Sequence, residues 1–273
     1  MRPLEHNIKP VFVHERGGLD EAEACESNVI FLLRANNGSY AAGNNAGLRL
    51  ALRLGAEYVW ILNNDALVEP EAARHLVDQM RRDPRLGLCG TTLRSYDNPE
   101  QIQILGGWHY SRWIARPTPL LTPSKSRRCL SYVAGASVCV SRGFLEKVGL
   151  LCEDYVLYGE EMDWAARAGS RFSLSYCPEA VVYHKGAGTI ARSLSDAQQE
   201  YYATRARLLL TRKFWPLLLL TVWLSMLGRV VLRLFQARLG AARSIMLAVA
   251  GKPLGKEFWE TTQSSSLLGS TKS

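Results

Sequence analysis

Three stretches of the sequence carry side chains able to do chemistry. The first ends in Asp65, which closes the run Leu62-Asn63-Asn64-Asp65 directly after the apolar segment Tyr58–Leu62. A carboxylate at the C-terminal mouth of a sheet strand sits where α/β proteins bind ligands. As a hard oxygen donor it suits a divalent cation that can also bridge a diphosphate. On this residue alone a plainer reading stays open, an Asp that closes an Asx-turn or caps the next helix. The second stretch is Tyr158-Gly159-Glu160-Glu161-Met162-Asp163-Trp164, with acids at 160, 161 and 163. Acids crowded at a helix start are costly unless the dipole and solvent offset them. The alternative is that one carboxylate is a general base for a hydroxyl nucleophile. The third is His184, before the turn Lys185-Gly186-Ala187-Gly188. A neutral imidazole there can ligate a metal, although a lone His is more often a satisfied structural group.

These residues need a frame. Short apolar runs at Pro10–Val13 and Val29–Leu33 read as strands. A helix is expected from about Ala42 to Leu54, ended by Gly55. Tyr58–Leu62 has the composition of a strand buried on both faces of a parallel sheet. Pro70 opens a helix to about Arg82, with Glu69 and Glu71 in its first turn. Leu86–Leu93 and Tyr132–Val140 read as strands, residues 95–131 as loops, and Arg142–Val148 and Glu160–Ala168 as helices. Phe172–Tyr176 and Ala180–Tyr183 follow as strands. From Ser195 onward the pattern is helical and basic. The alternation predicts an α/β fold, an open, mostly parallel sheet flanked by helices, over residues 1–195. Residues 196–273 form a basic helical extension.

Composition fits this frame. A hydrophobic fraction of 47% and a charged fraction of 21% over 273 residues allow a sizeable core. Lys and Arg outnumber Asp and Glu by 33 to 25, a formal +8 that suits an anionic partner. No nucleic-acid-binding module is recognisable, so nucleic acid is not an expected partner. The six cysteines form no C-x-x-C pair. They read as reduced thiols of a cytoplasmic protein, not as a zinc site. The N-terminus lacks the apolar region of a signal peptide.

Each signal is weak alone, but their order is informative. The stretches Asn37-Gly38-Ser39-Tyr40-Ala41-Ala42-Gly43-Asn44-Asn45-Ala46-Gly47, Tyr58–Asp65, Val133-Ala134-Gly135-Ala136-Ser137, Tyr158–Asp163 and Tyr183-His184-Lys185-Gly186 follow one another. In this order the chain resembles the family 2 glycosyltransferases of the GT-A fold, and among them the rhamnosyltransferase-like branch of bacterial surface polysaccharide assembly. The resemblance implies inverting, metal-dependent transfer of rhamnose or another deoxysugar from a nucleotide-sugar to a bacterial glycan or lipid-linked acceptor. Mg2+ or Mn2+ would neutralise the leaving diphosphate. Carried over to this sequence, Asp65 is the metal ligand of a D-x-D-type site, and His184 an additional metal or diphosphate contact. Asn63 stands where many members have an acid. Asn37, Asn45, Asn63 and Asn64 fall in the donor-binding stretches. Glu161 occupies the base position, where Asp is usual, with Glu160 beside it. Asp163 is the next acid, positioning the helix or binding acceptor.

The beginning of the chain departs from that pattern. Pro10–Val13 with His14 and Glu15 corresponds to the family's second strand, and its Asp-Asn is replaced. Nine residues precede Pro10, so the family's first strand and helix have no counterpart. A shortened chain or a non-catalytic, glycosyltransferase-like binder of glycan, membrane or a partner is the alternative expectation. Near the other end, Phe214–Gly228 is 15 residues without charge, flanked by Arg205, Arg207, Arg212, Lys213, Arg229 and Arg233. That is shorter than the roughly 20 residues of a span and fits a helix lying in an anionic membrane interface. A core-packing helix and a full span stay open. The cytoplasmic face of the inner membrane is the expected location.

Overall fold

The structure, a computed structural model, describes residues 10–14, 29–35, 38–186 and 194–254, without side-chain surroundings for 10–14 and 126–128. Its centre is a six-stranded sheet. Strands β3 (Tyr58–Leu62), β10 (Ser137–Ser141), β5 (Leu86–Ser95), β11 (Ser173–His184) and β4 (Ala66–Val68) lie side by side in that order, and β6 (Ile102–Leu105) also pairs with β5. Strands β1 (Pro10–His14) and β2 (Val29–Leu33) form a separate parallel pair. A third sheet joins β8 (Arg116–Pro119), β7 (Gly107–Ser111) and β9 (Tyr132–Val133).

The α/β class with helices on both faces of the sheet is as expected, but the pairing is mixed. Only β5 and β11 run parallel in the six-stranded sheet; β3–β10, β10–β5, β5–β6 and β4–β11 are antiparallel. The reason lies in residues 95–131, which the sequence reads as loops. They form β6, β7, β8 and a short helix, α3 (Pro123–Cys129). This stretch holds the chain at the end of the sheet where β5 leaves it. With no crossover helix to carry it back, the chain re-enters as β10 in the opposite direction. Strand β3 therefore lies at an edge of the sheet, and only Ile61 in it is fully buried.

Two layers of helix cover the sheet. On one face α1 (Tyr40–Arg53), α4 (Arg142–Val148) and α5 (Glu160–Ala168) enclose Leu48, Ile61, Leu88, Val140, Phe144 and Trp164. On the other, α2 (Ala72–Arg82) packs Leu76 and Met80 over Leu86, Cys89, Cys139 and Cys177. Helix α2 starts two residues later than its Pro70 signal suggests, because Glu69 instead accepts a 2.7 Å hydrogen bond from Tyr183. Cys89, Cys139 and Cys177 are free, buried thiols on adjacent strands. Burial pushes Cys139 up to about 12, so it stays protonated and unreactive.

Helix α1 is tied to the far side of the site by one amide. Asn45, 1% exposed, donates to the Leu151 carbonyl at 2.9 Å and accepts from the Leu151 N–H at 2.9 Å; it also donates to Glu153 at 2.7 Å. Asn45→Ala would leave the two Leu151 backbone groups unpaired in the interior. The expected loss is about 2–4 kcal/mol, read as a lower urea midpoint with an unchanged m-value.

Between residues 196 and 249 the chain is mostly helical. Ser195 caps α6 (Asp196–Phe214) with a complete capping box to Gln198. After a single 3-10 turn at Pro216–Leu218 come α7 (Leu219–Phe235) and α8 (Leu239–Val249). These helices share one core with the acidic helix: Tyr155 and Met162 pack with Ala206, Leu210, Val222, Met226 and Ile245. The helical stretch Pro216–Phe235 is 20 residues, since it continues through Arg229 and Arg233 past the uncharged run. By length and composition it is the one helix among the described residues able to cross a membrane, although one side of it packs on protein.

Candidate active site

The strand order brings two of the three chemical stretches together at one end of the sheet. Asn64 and Asp65 form the turn between β3 and β4, and β4 pairs with the end of β11, placing His184 opposite Ala66. The Lys185 N–H donates to the Asp65 carbonyl at 3.1 Å, which closes the junction. Side by side, Asp65 Oδ1 and His184 Nε2 are 3.2 Å apart, with side chains 19% and 12% exposed. Close as they are, they form no aligned hydrogen bond, and Asp65 Oδ1 is buried without a partner.

The surroundings of the imidazole explain this. Gln103, on β6, donates to the His184 carbonyl at 2.9 Å and places its Oε1 3.4 Å from Nδ1. A proton on Nδ1 satisfies that oxygen and leaves the Nε2 lone pair turned toward Asp65 and the Asn63 amide, 3.4 Å away. In that tautomer two lone-pair atoms face one another at 3.2 Å. Two ligands at right angles on an ion roughly 2.1 Å from each would stand about 3 Å apart. The pair therefore fits a divalent cation. No cluster of three or more His, Cys, Asp or Glu ligands occurs among the described residues, so such an ion would take its remaining ligands from substrate and water. Asn64 is exposed on the same turn. Asn37 lies outside the described residues.

The acidic helix reaches this point through a second turn. The Asn63 N–H donates to the Ala136 carbonyl at 3.0 Å. The neighbouring Gly135 lies against the acid: a Cβ there would come 1.8 Å from Glu161 Oε1. Its carbonyl accepts from the Tyr40 hydroxyl at 2.6 Å. One two-residue segment thus touches the Asp65 turn on one side and the Glu161 carboxylate on the other. The sequence reads 132–140 as one strand; the interruption at 134–136 creates this junction.

The three acids of α5 occupy different environments. Burial pushes Glu161 up to about 7. Glu160, 3% exposed, is also raised, by burial first and by the charge of Glu161 second, and its Oε2 has no partner. Asp163 is fully buried and fully paired. Arg167 and Lys213 each reach it at 2.6 Å, and Tyr155 donates at 3.1 Å. Arg167 also donates to the carbonyls of Val148 and Leu150, both at 2.6 Å, fixing the loop before the helix. Tyr158 and Gly159 enter α5 with φ of +67° and +99°. A Tyr held in the left-handed region is locally strained, and such strain concentrates at functional sites.

The structure separates the expected site residues by what they can still do. Asp65, His184 and Asn63 converge on one point, and Glu161 is linked to it through Gly135–Ala136. Asn45 cannot bind a donor, because Leu151 and Glu153 use its amide. Asp163 turns no free oxygen outward, which leaves it the positioning alternative. Gln103 and Arg167 are absent from the sequence reading, and Lys213 enters it only as a cation flanking the apolar run: a Gln in a stretch read as loop carries no pattern, and the two cations fall on helical faces that look solvated.

Residues 17–144 match the profile of the family described as Glycosyl transferase family 2. No curated protein sequence matches the chain. Similar solved structures include GalNAc-T7 with UDP, GalNAc and Mn2+, at 16% identity and a TM-score of 0.46 over 65% of this chain and 36% of that one. Another is the mannosyltransferase PcManGT from Pyrobaculum calidifontis with GDP-Man and Mn2+, at 14% identity and a TM-score of 0.46 over 91% of this chain and 79% of that one. The chain thus spans little more than a third of the first of these proteins, 36%.

Proposed function

We propose that this chain, whose residues 17–144 match the family 2 glycosyltransferases, transfers a sugar from a nucleotide-sugar to a hydroxyl of a glycan or lipid-linked acceptor. The observation that carries this reading is the unbonded pair Asp65 Oδ1 and His184 Nε2 at 3.2 Å, joined through one turn to a carboxyl raised to about 7. Asp65 and His184 would hold Mg2+ or Mn2+, with Asn63 and Asn64 beside them at the donor. The ion, when bound, supplies positive charge to the leaving diphosphate. Glu161 takes the proton of the acceptor hydroxyl as its oxygen attacks the anomeric carbon. The bond from that carbon to the diphosphate oxygen breaks from the opposite face, so configuration inverts. Glu160, whose carboxyl is pushed up by burial and by the charge of Glu161, lies beside the base, and Asp163 holds α5 in place. The donor sugar in this reading is rhamnose or another deoxysugar, on the resemblance of the ordered motifs alone.

Calorimetry with nucleoside diphosphates and Mn2+ tests the donor half. Metal-dependent binding is expected, and its absence from the wild-type chain would refute an enzyme. The β1–β2 pair, which shares no ladder with the main sheet among the described residues, favours a second reading in which the chain binds glycan, membrane or a partner without turnover. Binding without hydrolysis or transfer in the presence of acceptor extracts would select it.

The same reading places the protein at an anionic membrane on the cytoplasmic side. Helix α7 buries Val222, Met226 and Val230, while Leu220, Trp223, Leu224, Leu227 and Val231 are 46–71% exposed on its other side. Arg229 and Arg233 turn inward to Glu200, at 2.7 Å for Arg229. A helix with one face committed to protein and the other apolar suits the interface better than a crossing. Co-sedimentation with phosphatidylglycerol vesicles at low salt is expected, and Leu220→Lys with Leu224→Lys should abolish it. A wild-type chain that stays in the supernatant would leave α7 as a core-packing helix.

A further inference from the structure

Glu200, Thr204, Arg207 and Thr211 stand at i, i+4, i+7 and i+11 on α6, so they share one face. That face points inward. Thr204 and Thr211 have no exposed surface, and Glu200 is 6% exposed. A buried helix face is ordinarily apolar, and not all the polar groups here are used. Thr211 returns its hydroxyl to the Arg207 carbonyl, and Glu200 takes Arg229 and Arg233 from α7. Thr204 Oγ1, Tyr110 OH, Glu160 Oε2 and Arg229 Nε have no hydrogen-bond partner among the described residues. Thr204, Tyr110 and Glu160 are each more than nine-tenths buried.

Arg207 ties these groups into one place. Its charge is felt by Tyr110, Tyr132, Tyr158, Glu200 and Arg229, yet its guanidinium makes no hydrogen bond or ion pair among the described residues. Burial, and then the charge of Arg229, push it down to about 10, which still leaves it protonated near neutrality. Buried polar groups are costly to leave unpaired, so several near an unpaired cation are the lining expected of an anion site. Glu160 does not oppose an anion, since burial and Glu161 keep its carboxyl protonated to higher pH.

We propose that the polar groups around Arg207, where α6 packs on α7 and the start of α5, form a phosphate subsite, in which Arg207, the Arg229 Nε–H and the hydroxyls of Thr204 and Tyr110 hold a phosphate or diphosphate group carried by the acceptor. Its position fits a lipid-linked molecule. Arg229 lies on the inner side of α7, where it reaches Glu200, and the outer side of that helix is the apolar face that would lie in the membrane. The assignment to the acceptor rests on the glycosyltransferase reading; the affinity for phosphate does not.

The test uses the full chain in detergent micelles, titrated with a short isoprenyl phosphate, with inorganic pyrophosphate, and with nucleoside diphosphates plus Mn2+. The isoprenyl phosphate should bind more tightly than pyrophosphate, with pyrophosphate competing. Arg207→Gln should weaken both at least tenfold, Arg207→Lys should restore part of the loss, and nucleotide binding should not change. Arg205→Gln, on the exposed side of the same helix against Tyr201, should bind all probes as the wild type does. Should Arg207→Gln fold poorly, the isosteric Thr204→Val is expected to show a several-fold loss. A wild-type chain that binds neither phosphate probe, or variants at 207 and 204 that bind as it does, would overturn the subsite. Equal affinity for pyrophosphate and the isoprenyl phosphate would overturn its assignment to a lipid acceptor. Asp65→Ala, which should lose nucleotide and keep isoprenyl phosphate, separates failure here from failure of the donor site.

Discussion

Glu161→Gln is expected to lower turnover by about 10²–10⁴-fold while making the protein more stable at pH 8. The two effects have one origin. Burial raises the Glu161 carboxyl from the usual carboxylate range to about 7 in the folded chain. In the unfolded chain it ionises near 4.5. Below that pH both states hold the proton and the group is neutral toward folding. Between about 4.5 and about 7 the unfolded chain has released the proton and the folded one has not, so stability falls as pH rises. Above about 7 the penalty is complete and constant, on the order of 2 kcal/mol once the titration shared with Glu160 is allowed for. The Gln variant escapes this penalty. Its melting temperature should exceed that of the wild type at pH 8 and match it at pH 4. In the wild type, kcat/KM should rise toward alkaline pH with an apparent pKa near 7. A Gln variant that keeps full turnover with a native acceptor, or that melts lower than the wild type at pH 8, would remove Glu161 from the role of base.

Asp65→Ala is expected to abolish metal-dependent binding of nucleoside diphosphates and to reduce transfer by at least about 10³-fold, since ion and diphosphate are held together. The fold should survive. Asp65 Oδ1 makes no hydrogen bond that the substitution would break, and its removal relieves an unpaired buried oxygen. The informative comparison is His184→Ala. It loses the second ligand and frees Gln103, so it should weaken Mn2+ affinity while retaining part of the diphosphate binding. Equal nucleotide affinity in the wild type and Asp65→Ala, measured by calorimetry with saturating Mn2+, would place the donor elsewhere.

The sequence made the α/β class visible because β3, β5, α1, α2 and α5 carry strong periodicity and clear punctuation. Its expectation of a mostly parallel sheet failed, since a strand's apolar pattern is the same whichever way its neighbours run. The difference turned on 95–131, where Gly, Pro and aromatic residues look like loop. Arg116–Pro119 is nevertheless a strand, and its two prolines are tolerated because it lies at the edge of the small sheet. At the site, Asp65 and His184 were legible as residue types, and their order along the chain paired them. Asn45 entered the donor-binding set through the family resemblance, whereas its amide is a latch to Leu151. The inward stripe of α6 was hidden for a different reason: Glu200, Thr204 and Arg207 have the composition of a solvated helix face, and only packing shows that Glu200 and Thr204 are buried and Arg207 half-buried.

The ion pair between Lys213 and Asp163 has a consequence for how the chain can be divided. Lys213 is near the end of α6, and its partner, fully buried, is two residues beyond the base. A chain stopped at residue 195 would strip one of two cations from an interior carboxylate and bare the apolar side of the helix that carries Glu161. The C-terminal helices are therefore less a fastened anchor than one wall of the room that holds Glu161, and neither half is expected to be separately expressible as a soluble piece.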